Sequence, residues 1–417
     1  MAILQQKGQD ALAFIAAFLK WVGLAAAMGL VCGPAGAVFH HCIAWASSLR
    51  SQHDFVILLM PLGGVLIVFL YKLCRMEAGM GTNQVISSIR SKEKLPILMA
   101  PLIFIATVIS QLVGASTGRE GAALQVGGSI GSFLGRRLRL DIKDVHMLTL
   151  CGMSGVFAAL FGTPLTATVF SIEVISIGVL HYAALIPCIV CSITAYQIST
   201  ALGTAPTVFA LDIPDFTALL SVKVIVLAAL CAVLSILFCV LMKETQALAQ
   251  KYLKNEYVRI AAGSAAVVAV TYLLHTRAFN GAGMEQITLA VAGKAGAFDF
   301  LFKMLLTSVS VAAGFKGGEI VPTLMIGATF GCVAGPLLGL PAGFAAAIGL
   351  ICLFCSVVNC PIASIMLSIE LFGTGEILLF AVACCVSYML SGYYGLYSSQ
   401  KIVYSKLTTE FVDRTAQ

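Results

Sequence analysis

The sequence is poor in charge. Asp, Glu, Lys and Arg together make up 11% of its 417 residues, where a soluble globular domain carries roughly 25%. With 59% hydrophobic residues and a mean hydropathy of +0.99, no enlarged soluble core accounts for the shortfall, because surface grows along with volume. The chain must use lipid as part of its solvent. It also has no long polar stretch, which leaves no room for a second, soluble domain. Paired Cys-x-x-Cys motifs and His clusters are missing, which argues against a metal centre. Cys352 and Cys355 have the spacing of such a motif but stand inside an apolar run, where Cys acts as a small hydrophobe. His40 and His41 are isolated from any carboxylate in the sequence. No nucleophile–His pairing or His-Glu-x-x-His motif appears, which excludes the common membrane-embedded hydrolases.

What is present is a series of apolar runs, at roughly 11–46, 54–73, 96–115, 145–172, 178–202, 217–242, 258–275, 298–313, 320–358 and 361–395. Spanning segments need about 20 apolar residues with all backbone groups bonded internally, which calls for helices. The polar opening MAILQQKGQD precedes a long apolar run and does not form a cleavable signal peptide. The net charge is +6, and its basic residues cluster in short linkers: around Lys72, Arg75, Arg90, Lys92 and Lys94; Arg136, Arg137, Arg139 and Lys143; Lys243, Lys251, Lys254 and Arg259; Lys401 and Lys406. Short basic linkers stay cytoplasmic, so the charge is topological and implies no nucleic-acid partner.

Several runs are interrupted, at Gly33-Pro34, Gly162-Thr-Pro164 and Asn359-Cys-Pro361. These predict tilted spans mixed with half-length helices. Broken backbone at membrane depth is tolerated only inside protein or beside a water-filled cavity. The segment Phe161-Gly-Thr-Pro-Leu-Thr-Ala-Thr-Val-Phe-Ser-Ile-Glu173 resembles Val358-Asn-Cys-Pro-Ile-Ala-Ser-Ile-Met-Leu-Ser-Ile-Glu370, and the offset between the prolines equals that between the glutamates. Val126-Gly-Gly-Ser-Ile-Gly131 echoes Ile326-Gly-Ala-Thr-Phe-Gly331 at nearly the same offset. Two similar halves with paired broken helices point to a transporter whose site lies near the membrane midplane. One membrane domain over 1–417 is expected, with repeats at 11–203 and 215–396 and a cytoplasmic end at 397–417.

Three Gly-bracketed polar segments interrupt the apolar background: Gly-Met-Gly-Thr-Asn at 79–83, Gly-Arg-Glu-Gly-Ala-Ala-Leu-Gln at 118–125 and Gly-Phe-Lys-Gly-Gly-Glu-Ile-Val-Pro at 314–322. Each precedes an apolar helical run. The first turn of a helix offers free N–H groups and a positive dipole end, and Gly lets an anion approach that backbone. Three such ends converging would cradle an anion without a full buried cation, so the ion could also leave. Glu120 stands in the second segment, and a carboxylate at membrane depth is costly unless functional. Ionised, it could fill the anion site itself; protonation would release it. The competing reading is a helix-capping Glu paired with Arg119. Glu319 in the third segment has the same ambiguity, with a Lys316–Glu319 pair as the alternative. Glu173 and Glu370 close the two repeated helices and are expected simply to reach the membrane interface.

These segments, in this order, resemble the CLC family of anion channels and proton-coupled antiporters, over nearly the whole chain up to Tyr397. Gly118-Arg-Glu-Gly121 carries the resemblance most specifically, followed by Gly79-x-Gly81, Gly318-x-x-x-Pro322 and the two proline-containing repeats. The resemblance implies an all-α polytopic fold of two inverted-topology repeats with broken and re-entrant helices. It implies a homodimer in which each subunit is a complete pathway, no cofactor, and both termini in the cytoplasm. The absence of nucleotide-binding modules after residue 417 suggests a bacterial inner-membrane protein. Chloride-type members carry a Ser between the first two glycines and a Pro at the motif's end, where Met80 and Asn83 stand here. Their internal proton-transfer Glu is replaced by Val174. Met80, the Lys316 and Glu319 segment and the missing Glu resemble the fluoride-exporting branch. That branch implies a gating, proton-coupling role for Glu120, a second coupling role for Glu319 and an anion-site role for Tyr397. It often has Thr where this chain has Val321, which removes a hydroxyl donor from the proton route. The anion surroundings expected are Met80, Gly81, Asn83, the helix-start amides at Gly121, Ala122, Ile320 and Val321, and the aromatic rings of Phe315 and Tyr397, whose positive edges suit a compact anion. The expected function is fluoride/proton antiport; a chloride/proton antiporter or a passive anion channel of the same fold is the alternative.

Overall fold

The computed structural model describes all residues except 1, 77–80, 92 and 409, together with the backbone alone for 2–9. Among the described residues the chain forms sixteen α-helices. In the first half they are α1 (Ala2–Gln52), α2 (Met60–Leu73), α3 (Thr82–Arg90), α4 (Met99–Val113), α5 (Glu120–Arg137), α6 (Ile142–Phe161), α7 (Pro164–Glu173) and α8 (Leu185–Ala201). The second half adds α9 (Ala218–Tyr252), α10 (Glu256–Leu273), α11 (Met284–Val291), α12 (Asp299–Ala313), α13 (Ile320–Leu337), α14 (Ala342–Val358), α15 (Pro361–Phe372) and α16 (Ile377–Leu390). Seven helical segments are long and apolar enough to cross a membrane, and four more are apolar but shorter. Phe14, Leu62, Leu219, Leu273 and Leu337 project outward, exposed. That pattern suits helices whose outer faces meet lipid.

Two of the three expected breaks are real, and they match. Gly162 ends α6 with φ 78°, and Asn359 ends α14 with φ 56°; both are left-handed positions that stop a helix. Each break is followed by a residue at φ −125°, ψ 77°, and then by Pro at the first position of the short helix. At 10 and 12 residues, α7 and α15 rise only about 15–18 Å, too short to span a bilayer. The third break does not occur. Pro34 lies inside a continuous α1. Gly33 packs against Ile198 and Gly36 against Ala159, and neighbouring helices of this kind support a proline that would otherwise end the helix.

The two halves also pack alike. Helix α5 crosses α6 where Gly127 and Gly152 meet backbone to backbone, and α13 crosses α14 at Gly327 and Gly349 in the same way. A Cβ on any of the four would run into the facing carbonyl, so these crossings are closed to every other residue. Around each pair, α1 packs on α6 and α8 as α9 packs on α14 and α16. Cys352 and Cys355 are fully buried in α14, and the Cys355 thiol donates to the Cys384 carbonyl at 3.5 Å.

Glu173 and Glu370 are not loose ends at an interface. The Glu173 carboxylate, at the end of α7, accepts from the Ile362 and Ala363 amides at the start of α15 (3.1 and 2.8 Å). Glu370, near the end of α15, accepts from the Leu165 and Thr166 amides and the Thr166 hydroxyl at the start of α7 (2.8, 2.9 and 2.6 Å). Each half-helix is capped by the other's acid, which satisfies amides the first turn leaves unpaired. The exchange is the signature of two halves related by a two-fold axis.

The fold is not purely helical. A three-stranded sheet joins β1 (Ser176–Ile177), just after α7, to β2 (Lys401–Tyr404) and β3 (Phe411–Thr415) in the order β1-β2-β3. Lys406 fastens the same tail, donating to the Tyr388 carbonyl and Ser391 hydroxyl (both 3.0 Å) at the end of α16. The segment after residue 397 is therefore docked on the helical body.

Candidate functional site

The helix starts do converge. Gly118 and Gly318, just ahead of α5 and α13, form an antiparallel bridge: the Gly118 amide donates to the Gly318 carbonyl at 2.5 Å and the Gly318 amide returns a bond at 3.0 Å. A Cβ on Gly118 would meet the Gly318 carbonyl and the Glu120 carboxylate, both at 2.9 Å, so the glycine is obligatory. A Cβ built on Gly121 would lie 3.1 Å from Gly318 Cα and 3.2 Å from the Thr82 hydroxyl, which brings α3 to the same point. Thr82 in turn donates to the Gly121 carbonyl at 3.3 Å. Three positive helix ends thus face one small volume, with one from each Gly-bracketed segment.

Glu120 occupies that volume. It is the first residue of α5 and fully buried. Its Oε2 accepts from the Arg119 amide at 3.0 Å, and the amides of Glu120 and Val321 also face the carboxylate. Its Oε1 has no hydrogen-bond partner and lies 3.6 Å from Arg119 Nε. The gating and the capping readings are therefore not exclusive: the carboxylate pairs with Arg119 while its oxygens sit where an anion would meet the α13 amides. Arg119 also approaches His40 at 3.5 Å, a contact between residues far apart in the chain.

Beside these helix starts opens a cavity of about 650 Å³, lined by Gly81, Asn83, Phe315, Glu319 and Tyr397 among others and reaching Lys243 on α9 and Glu256 and Arg259 on α10. Tyr397 is 2% exposed, and its hydroxyl has no partner. Tyr397 reaches the site because the loop bearing it is tied to α3: the Ser399 amide donates to Asn83 Oδ1 at 3.0 Å, and Arg90 donates to the Ser399 carbonyl. Glu319 is the residue before α13, half-buried and facing the cavity. Lys316 stacks its ammonium 4.6 Å over the Tyr71 ring. Ala122, Ile320 and Val321 are buried in the first turns of α5 and α13. Of the expected anion surroundings, Gly81, Asn83, Gly121, Ala122, Phe315, Ile320, Val321 and Tyr397 fall together around Glu120 and Glu319. Met80 lies outside the described residues.

Two glutamines were not expected at the site, although Gln125 closes the second Gly-bracketed segment. Gln125, 3% exposed, lines the cavity and donates to the Thr82 hydroxyl at 3.3 Å, leaving its own carbonyl oxygen unpartnered. Gln111, 1% exposed on α4, holds the loop ahead of Glu120 by donating to the Thr117 carbonyl at 2.5 Å and the Gly118 carbonyl at 3.4 Å. The one available signal was an amide side chain in an otherwise apolar helix, which is costly unless bonded.

An inverted-repeat membrane fold whose Gly-bracketed helix starts meet at a buried carboxylate defines a class of ion-conducting protein. Residues 63–392 match the family described as Voltage gated chloride channel. The chain belongs to this CLC family. It is 35% identical over 405 residues to the "Chloride/fluoride channel protein" of Pseudomonas syringae pv. tomato, covering 95% of this chain and 89% of that one. The H(+)/Cl(-) exchange transporter ClcA of Citrobacter koseri is 25% identical over 397 residues, 87% of this chain and 83% of that protein. Among solved structures, a CLC-type fluoride/proton antiporter superposes with a TM-score of 0.89 at 30% identity, covering 92% of this chain and 98% of that one. A slow cyanobacterial Cl-/H+ antiporter superposes at 0.77 with 19% identity, covering 89% and 94%, and shares the fold.

Proposed function

We propose that this protein exports fluoride across the bacterial inner membrane in exchange for protons, as a homodimer with both termini cytoplasmic. The observation that carries the reading is Glu120: a fully buried carboxylate at the meeting point of three helix starts, with Oε2 on the Arg119 amide and the Val321 amide facing it. Ionised, it competes with an anion for the same donors. Protonated, it gives up the charge that holds it there, and an incoming anion displaces it. One carboxylate thus exchanges proton for anion by electrostatics alone. Glu319 and Tyr397 line the cavity beside the helix starts and serve as the second coupling group and an anion contact. The relative of known structure that is a fluoride/proton antiporter supports fluoride as the substrate. So does Val174, where a chloride antiporter would carry its internal acid. The basic linkers support cytoplasmic termini.

A passive channel is the second reading, favoured by the name of the Pseudomonas syringae relative. Vesicles loaded with fluoride or chloride, under a pH gradient and with voltage dissipated by a potassium ionophore, separate the two. Antiport gives rapid fluoride efflux, little chloride efflux and proton uptake against its gradient. Fluoride efflux indifferent to protons establishes the channel, and equal chloride efflux removes the fluoride assignment.

A further inference from the structure

A second cavity, also of about 650 Å³, lies at the other end of the pathway. Helix α10 shows the relation: Glu256, at its start, lines the first cavity, and Thr276, just past its end, lines the second. The intervening 18 residues span about 27 Å. Arg119 forms part of this second cavity's wall, and its Nε lies 3.6 Å from the Glu120 carboxylate, so the cavity reaches the residue next to the proposed gate.

The charges around this cavity do not balance. Arg277 pairs with Asp54 at 2.7 Å and Arg119 with Glu120 at 3.6 Å. Arg50 lines the cavity, and among the described residues it forms no ion pair with an Asp or Glu; nor does Lys303. Lys303 is fully buried on α12. Its ammonium donates to the Phe279 and Gly281 carbonyls at 3.0 and 2.7 Å, two bonds for a group that has three donors. Those carbonyls belong to the loop that borders the cavity, and Arg50 lies against the same loop at Gly281. Arg50 donates to the Gln111 carbonyl, and Gln111 holds the gate loop. Glu285, the carboxylate that lines the cavity, is exposed to solvent. Buried charges are normally paired, because desolvation otherwise costs several kcal/mol per ion. Here two cations share one loop without a counter-charge.

The geometry points to an anion-binding site in this second cavity, in which a small monovalent inorganic anion with its hydration water sits against Arg50 and over the loop held by Lys303. The site rests on the reading of Glu120 as the gate and adds a step to it. When Glu120 takes up a proton, Arg119 also loses its partner, so the positive field in the cavity is strongest as the anion passes the gate. The cavity then holds the anion between the gate and bulk water.

The test is calorimetric titration of the purified protein with sodium fluoride, ionic strength held by sodium gluconate, beside flux measurements on the same preparation. Wild type should bind fluoride at two sites. Arg50→Gln and Lys303→Met should each keep one and weaken the other by about tenfold or more. Arg50, half-buried, covers the case in which loss of the Lys303 ammonium prevents folding. If proton-coupled flux is present but wild type and Arg50→Gln give the same isotherm, the second site is wrong and the transport reading stands. If fluoride binding depends on Arg50 while no coupled flux is found, the site stands and the transport reading falls.

Discussion

At the scale of single residues, the pathway is marked by polar atoms that the protein leaves unbonded. Glu120 Oε1, Gln125 Oε1 and the Tyr397 hydroxyl are all buried without a hydrogen-bond partner. An unmet buried polar group costs about 1–3 kcal/mol. Three of them around one small volume are economical only if a ligand meets them. The Tyr397 hydroxyl offers the cleanest case, because removing it breaks no bond within the protein. Tyr397→Phe should leave the melting temperature unchanged or slightly raised, and should slow fluoride flux several-fold. A variant with wild-type flux would take Tyr397 out of the anion site. Glu120 and its neighbours were legible because glycine on both sides of an acid is unusual in an apolar chain. Gln111 was not, since its value lies in the Thr117 and Gly118 carbonyls it reaches, and nothing in the sequence of α4 shows what it faces.

At the scale of helices, structure depends on exchange between the halves. Gly162 and Asn359 were readable as stops because the Pro two residues later cannot continue a helix and left-handed backbone favours Gly and Asn. Pro34 misled, because whether a proline breaks or is merely accommodated depends on neighbours, and Gly33 and Gly36 let α8 and α6 close in. The reciprocal caps of Glu173 and Glu370 were invisible for a related reason: each acid's partners come from the other repeat. Both carboxylates accept charge-assisted bonds, worth more than neutral ones. Glu173→Gln and Glu370→Gln should each destabilise the protein by about 1–3 kcal/mol in detergent unfolding, while the ratio of protons to fluoride stays as in wild type. A change in that ratio with Glu173→Gln would mean that the acid carries protons as well as capping α15. The short sheet was also unreadable: β1 is two residues long, too brief for any alternation to register.

At the scale of the whole molecule, a bridge between two glycines, Gly118 and Gly318, ties together the starts of α5 and α13, and the side chain of Glu120 sits beside it. The cavity on the linker side holds Glu319, Tyr397 and Asn83; the far one holds Arg50 and Arg119. On the proposed function, an anion moving from one cavity to the other passes Glu120. Inverted repeats supply the symmetry that makes both approaches end at helix starts, which is how one fold serves an anion arriving from either side.

The most direct test of this account is proton movement through Glu120→Gln. Vesicles containing the wild type, given a fluoride gradient and no pH gradient, should take up protons as fluoride leaves. Vesicles containing Glu120→Gln should show no fluoride-driven proton uptake, whatever fluoride flux remains, because the neutral amide cannot exchange a proton for an anion. Proton uptake in that variant at the wild-type ratio to fluoride would contradict the central role given to Glu120.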